Sequence, residues 1–421
     1  MARWPAAVAC ALGVAFLGLL AASVSGQSPA PAPLAAADGE GGNSRFTCTD
    51  TEKKRPGCTG ICPDRCPQSC IALCPSCQAY CPDQVKPVRP ALFVFGDGFL
   101  DVGNNNYIEP NEAGEPWTAN HSYYGIDFPK SEPTGRFSNG FNMADFIAKA
   151  MGLEMSPPAY KSLNNPTKIE SGFSGVNYAS ATAGIWIDRG DGLNFPLTYQ
   201  VKYFTTTMEK MEANHSRQQL RKMLSNSLFL ISVGASDLYY IYDIMTRPNY
   251  IRSGPQPEPD NTTDVPHLIS SYGDIITALY NLGARKFGII NVPTLCTPVG
   301  YSCDDLMTSL PKDFNDGIKP LMAGLASNLD GLRYSIADFH ALSDAVSTNP
   351  SAYGFVNTWA SCCEGPCAPN YRSPCGNPRE YWYWDHENPT EQAAKLAATT
   401  FLNGTAQFTA PVNFKTLINQ K

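Results

Sequence analysis

Charge is scarce in this chain of 421 residues: Asp, Glu, Lys and Arg together make up 16%, with a net charge of −7. No basic run exists beyond residues 53–55 (KKR). Nucleic-acid binding draws on clustered Lys and Arg to neutralise phosphates, so the composition argues against a nucleic-acid partner. Long apolar runs are also missing. Past the first 26 residues no segment reaches the roughly 18 apolar residues that a membrane helix needs, so no membrane span is expected. What the chain does have is 43% hydrophobic residues, enough to bury the core of one large α/β domain plus an appendage.

Residues 1–26 read as a signal peptide. Arg3 supplies the positive start, residues 6–24 are apolar, and Ser23, Ser25 and Gly26 suit a cleavage site. A membrane anchor is the alternative, but a polar, Pro-rich segment follows directly and the flanking charge is weak. The mature chain is therefore expected to be secreted, to the extracellular space or cell wall, as a monomer. Of fifteen cysteines, Cys10 leaves with the signal peptide; eight fall at 48–81 and six at 296–375. Even counts in an oxidising compartment read as two independent disulfide sets. Cys296 and Cys303 are close enough in sequence to close a short loop, while Cys362, Cys363, Cys367 and Cys375 are expected to form two further bridges whose pairing the sequence leaves open. Glycosylation sequons occur at Asn120, Asn214, Asn261 and Asn403.

Residues 27–47 are Ala-, Pro- and Gly-rich and read as a linker. Residues 48–82 are Cys-rich. The four-residue spacing of Cys58, Cys62, Cys66, Cys70 and Cys74 would suit one helix face, but Pro63, Pro67, Pro75 and Pro82, each directly after a Cys, oppose a helix. Short turns stapled by disulfides are expected, with a zinc site as the alternative. From residue 90 strand and helix patterns alternate. Apolar runs at 91–95, 176–179, 228–233, 286–291 and 334–338 read as buried strands. Amphipathic stretches at 141–151, 197–211, 267–282, 314–332 and 390–403 read as helices. Five such repeats predict a parallel sheet covered on both faces, in a three-layer α/β/α domain over 90–405, followed by a tail at 406–421. The ligand site is then expected beyond the carboxyl ends of the strands.

Four segments lie there: 93–106 (FVFGDGFLDVGNNN), 175–185 (GVNYASATAGI), 232–237 (SVGASD) and 384–390 (WDHENPT). With 134–140 (TGRFSNG), 291–293 (NVP) and the pair Cys362–Cys363, they resemble the GDSL (SGNH) hydrolases, and more closely their plant esterase/lipase branch. The resemblance covers about residues 90–405 in order and spacing. It implies a flavodoxin-like fold with a five-stranded parallel sheet, hydrolysis of acyl or acetyl esters, and no cofactor or metal. In that family the first block carries a nucleophilic serine and the last an Asp-x-x-His pair. A glycine N–H and an asparagine side chain stabilise the oxyanion.

This sequence departs at four of those positions. Gly98 stands for the serine, Asn388 for the histidine, Ala181 for the glycine and Ser236 for the asparagine; only Asp385 of the triad is kept. An alcohol is a weak nucleophile without an adjacent base. Losing nucleophile or base alone costs about a million-fold in turnover. The backbone N–H groups of Gly98 and Ala181 remain as candidate donors to the pocket. Asp97 is expected to hold its turn by accepting backbone N–H bonds, and Gly234 and Asp237 to form pocket scaffold. Asp101, Gly103, Asn104, Asn105 and Asn106 also read as scaffold, and the aromatic cluster at 381–384 as core and pocket wall. His386, one residue after Asp385 rather than three, is expected to face away. Two readings follow. One is a binding protein on a hydrolase scaffold, with an acyl ester, lipid or acylated cell-wall carbohydrate as ligand. The other is an ester hydrolase or acyltransferase acting through a rearranged site.

Overall fold

The computed structural model describes residues 90–420 except 164–173, 187–191, 213–214, 247–263, 297–302 and 366, and, before them, 45–48, 58–64, 66–67, 70–73 and 78–80. The expected signal peptide, most of the linker, and the sequons Asn214 and Asn261 lie outside the described residues. Asn120 and Asn403 lie inside them and are exposed.

Five parallel strands form the central sheet: β1 (Leu92–Gly96), β2 (Gly175–Asn177), β3 (Leu228–Ser232), β4 (Lys286–Ile290) and β5 (Arg333–Ala337). Their spatial order is β2-β1-β3-β4-β5, the flavodoxin-like order, with the chain reversing direction at β1. The runs are short, apolar and rich in Phe, Ile and Leu, which suits strands buried on both faces. Side chains alternate between the faces. Phe93, Phe95, Phe229, Ile231, Phe287 and Ile289 point to one core; Leu92, Val94, Leu228 and Leu230 to the other.

The first core is covered by α2 (Leu197–Glu212), α3 (Arg217–Asn226), α4 (Ala235–Thr246), α5 (Val265–Asn281) and α6 (Asp305–Asn328). The second is covered by α1 (Met143–Ala150), α7 (Phe339–Thr348), α8 (Glu391–Asn403) and α9 (Phe414–Asn419). Thr390 caps α8 by accepting from the Ala393 N–H, so the expected helix begins one residue later than read from sequence.

Two features extend the expectation. Thr409–Ala410 adds a sixth, antiparallel strand on the β5 edge. The tail beyond 405 is thus part of the domain: Phe414 and Leu417 are buried, and the Lys286 ammonium donates to the carbonyls of Ile418 and Gln420. A strand of two residues is too short for hydrophobic alternation to register. The Cys-rich segment also differs from bare turns. It holds two antiparallel hairpins, Arg45–Cys48 with Cys58–Ile61 and Ile71–Leu73 with Gln78–Tyr80, and a Cys62–Cys70 bridge. In the main domain Cys296 bridges Cys303, Cys362 bridges Cys375 and Cys363 bridges Cys367. Among the described residues no helix is long and apolar enough to cross a membrane.

Candidate functional site

The site is assembled by the loops that leave β1, β2 and β3 and by the segment preceding α8. At the end of β1, Gly96 adopts φ +142°, and a Cβ there would run into the Ser232 carbonyl of β3. Only glycine allows this approach. The buried Gln200 of α2 clamps the same peptide, accepting from the Gly96 N–H and donating to the Gly96 carbonyl, both at 2.8 Å. The chain then turns. Leu100 and Asp101 donate to the Asp97 carbonyl, and Phe99 N–H donates to Asp97 Oδ1 at 3.2 Å, so Asp97 does hold the turn. Burial, with Glu387 and Asp237 nearby, pushes the Asp97 carboxyl up to about 8.

Asp101 is the hub of the loop. Its Oδ1 accepts from Gly103 and Asn104 N–H, each at 2.8 Å, and its Oδ2 accepts from Ala181 N–H at 3.0 Å. Burial raises this carboxyl to about 6 against those donors. Asn104 Nδ2 donates to the carbonyls of Asn177 and Ala179, and Asn105 Nδ2 to those of Trp117 and Ala181. The run from Asp101 to Asn105 is therefore scaffold that ties the loops after β1 and β2 together. The expectation for Ala181 needs correction: its N–H is consumed by Asp101 and is not a donor to the pocket. The next residue, Thr182, sits at φ 63°, a conformation costly for a β-branched side chain, and Asn194 Nδ2 reaches both its carbonyl and its hydroxyl.

After β3, Gly234 takes φ +127°, and a Cβ there would press on Val292 and Phe314. Asp237, in the first turn of α4, accepts from Ile185 N–H at 2.8 Å and Trp186 N–H at 3.1 Å, fastening the second loop to this helix. Both residues thus act as scaffold. Ser236 is half-buried, and its hydroxyl has no partner among the described residues.

Asp385 is buried and accepts five hydrogen bonds from four donor groups. Asn388 N–H and Glu387 N–H bond its Oδ1 at 2.7 and 3.0 Å. The Asn388 amide nitrogen reaches both oxygens, at 3.0 and 3.1 Å, and the Tyr124 hydroxyl donates to Oδ2 at 3.0 Å. Burial still raises its carboxyl above the usual carboxylate range. Asp385 therefore fixes the Asn388 side chain, and Tyr124 fixes Asp385. Sequence reading missed Tyr124, 261 positions away, although it lies in the SYYG segment just before TGRFSNG. His386 is half-buried and forms no hydrogen bond among the described residues.

These groups converge. A Cβ placed on Gly98 would lie 2.9 Å from Asn388 Oδ1 and 3.8 Å from the Ala181 Cβ. Positions 98, 181, 385 and 388 thus share one locus, with Asn388 between Gly98 and Asp385. Beside it opens a small cleft of about 30 Å³, lined by Phe99, Tyr239, Leu295, Phe339, Trp382 and Pro389, with Ala235 and Glu387 also on its wall. Trp382 and Tyr383 form pocket wall and core as expected, and Trp384 is buried against Tyr124 and Ala181. Chemically, the locus offers an apolar cleft, one backbone donor, one amide acceptor and buried acids, but neither a nucleophilic side chain at 98 nor a base at 388.

Residues 92–401 match the family model of GDSL-like lipases and acylhydrolases. A GDSL esterase/lipase of Arabidopsis thaliana is 30% identical over 342 residues, covering 76% of this chain and 90% of the relative. Another from the same plant is 32% identical over 356 residues, covering 78% and 90%. A GDSL lipase of Tanacetum cinerariifolium is 32% identical over 348 residues, covering 79% and 88%. The ordered blocks, the strand order and these matches agree: the chain belongs to the GDSL esterase/lipase family, whose activity is the hydrolysis of acyl esters.

Proposed function

We propose that this chain is a secreted acyl-binding protein that keeps the family's cleft and has lost its hydrolysis. The observation that carries this reading is the geometry at Gly98. The atom that would attack an ester carbonyl has no side chain to sit on, and the neighbour that would take its proton is an amide held against Asp385. An amide oxygen is not a general base near neutral pH, so neither half of the nucleophile–base unit is present. The Ala181 N–H, spent on Asp101, further weakens any oxyanion hole.

Water attack assisted by a carboxylate is the competing route. Asp97, next to Gly98 in the chain, has its carboxyl raised by burial to about 8, which favours the protonated form, the wrong state for a base. Asp385 is saturated with donors. The apolar cleft supports an acyl or aryl ligand, with acylated cell-wall carbohydrate and lipid as source classes. Secretion is supported by the disulfides of the main domain, which form and persist in oxidising compartments. The test is turnover of a panel of acetyl and acyl aryl esters by the purified protein. Release of product above buffer, abolished by filling the cleft through Ala235→Trp, would overturn the reading.

A further inference from the structure

Two polar groups border the space that a side chain at position 98 would fill, and neither has a protein partner among the described residues. One is the Gly98 N–H. The other is Asn388 Oδ1, on a residue 9% exposed and 2.9 Å from where a Cβ at 98 would stand. The orientation of that amide is dictated by Asp385. Its nitrogen faces both carboxylate oxygens, and the flipped amide would set oxygen against oxygen. A fixed acceptor therefore points where the family's chemistry needs a base. Ser236, at the same ends of the strands, adds a free hydroxyl.

Resting on the acyl-binding reading above, we propose that the site selects a carboxamide, a neutral head group carrying both a carbonyl and an N–H, over the corresponding ester. In this arrangement the ligand carbonyl accepts from Gly98 N–H, with Ser236 as second donor. Its N–H donates to Asn388 Oδ1, and its chain lies along Phe99, Phe339 and Trp382 in the cleft. The head group lies in front of the Gly98 N–H and Asn388 Oδ1 rather than between them, since a Cβ on Gly98 would already stand 2.9 Å from Asn388 Oδ1.

The alternatives fail on hydrogen-bond accounting. An ester has only acceptors, so Asn388 Oδ1 would face an ester oxygen and stay unpaired in a largely buried place. Sites built to bond a donor reject analogues that lack it far more strongly than they reject a missing methylene. A carboxylate also lacks a donor, and it would enter beside Asp97, Asp237, Glu387 and Asp385. Burial and mutual repulsion already favour the protonated form of Asp97 there, so a further negative charge is disfavoured.

The test is calorimetric titration of the full chain with hexanamide, methyl hexanoate and hexanoate at pH 7. Hexanamide is expected to bind at least about tenfold more tightly than either of the others. Asn388→Ala removes the acceptor and is expected to bring hexanamide affinity down to that of methyl hexanoate. Gly98→Ala presses a Cβ against Asn388 Oδ1 and is expected to weaken hexanamide most, with thermal melting reporting that both variants fold. Equal or tighter binding of methyl hexanoate, a preference that survives both variants, or no binding by any probe would overturn the proposal. Methyl hexanoate bound best but left intact would sink the amide preference and spare the acyl-binding reading. Its hydrolysis would sink the acyl-binding reading instead.

Discussion

Gly96 and Gly98 lie two residues apart on one loop and answer to different demands. Gly96 is required by the fold: its φ is +142°, and the β3 backbone leaves no room for a Cβ. Gly98 has no positive φ, and a Cβ there meets only the tip of Asn388 and, more loosely, Ala181. The same contrast runs through the whole site. Residues of the frame are bonded on several sides: Asp101 to three N–H groups, Asp237 to two, Asp385 through five hydrogen bonds from three residues. The Gly98 N–H, the Ser236 hydroxyl and Asn388 Oδ1, by contrast, form no hydrogen bond among the described residues. Chemistry can be removed from such positions at little cost in stability, because catalytic geometry is something a fold supports rather than something that supports it. The frame cannot be thinned in the same way, since each lost carboxylate strands several buried N–H groups.

Breaking the frame should cost most. Gly96→Ala is expected to lower stability by more than about 4 kcal/mol, the range of severe backbone conflict, read as loss of soluble folded protein or a collapsed urea midpoint. Recovery of protein with unchanged stability would show that β1 and β3 can part. Arg136→Ala comes next. The guanidinium donates through two nitrogens to the two oxygens of fully buried Asp145, each at 2.8 Å. Asp145 also accepts from the N–H groups of Asn142 and Ser156. Removing one partner of a buried pair leaves an uncompensated charge, so a loss of about 3–5 kcal/mol is expected; a change under 1 kcal/mol would mean the pair behaves as a surface bridge.

The buried acids sharpen the comparison through pH. A carboxyl raised in the folded state binds its proton more tightly folded than unfolded, so its contribution is fully present below the unfolded value near 3.8 and is lost as pH rises. Asp101 acts between about pH 4 and 6 and Asp97 between about pH 4 and 8. Melting temperature should therefore fall from pH 4 to 8, at no more than about 1.4 kcal/mol per pH unit for each group. Asp97→Asn should flatten the part of the slope above pH 6, and a slope unchanged by that substitution would remove Asp97 as its source. At the small end, Gly98→Ala, whose Cβ must displace the Asn388 amide pinned on Asp385, should cost about 1–3 kcal/mol. A loss as large as that of Gly96→Ala would erase the distinction between the two glycines.

Much of this was legible in the sequence, and the failures have physical reasons. The five parallel strands are short apolar runs, so the sheet follows from local pattern, while the convergence of Gly98, Ala181, Asp385 and Asn388 is what the resemblance to the GDSL hydrolases implies. Bonds between distant loops leave no such trace. Nothing in the neighbourhood of Tyr124 announces that its hydroxyl reaches Asp385, and nothing near Ala181 announces that Asp101 takes its N–H. The strand at Thr409–Ala410 and the Cys-rich hairpins are held by pairing and cross-links rather than by periodicity, so the tail and the N-terminal segment read as less structured than they are. Asn388 is the instructive case. Sequence comparison with the family makes it a missing histidine, while the structure makes it a placed acceptor.

The central claim is that the frame is intact and the reactive atoms alone are absent. Turnover of a short aryl acetate by the purified chain and by its Gly98→Ser, Ser236→Asn, Asn388→His variant tests it most directly. Product release by the parent is expected to be indistinguishable from buffer, and the folded triple variant to show measurable, saturable turnover. Turnover by the parent, or a folded variant that stays inert, would contradict it.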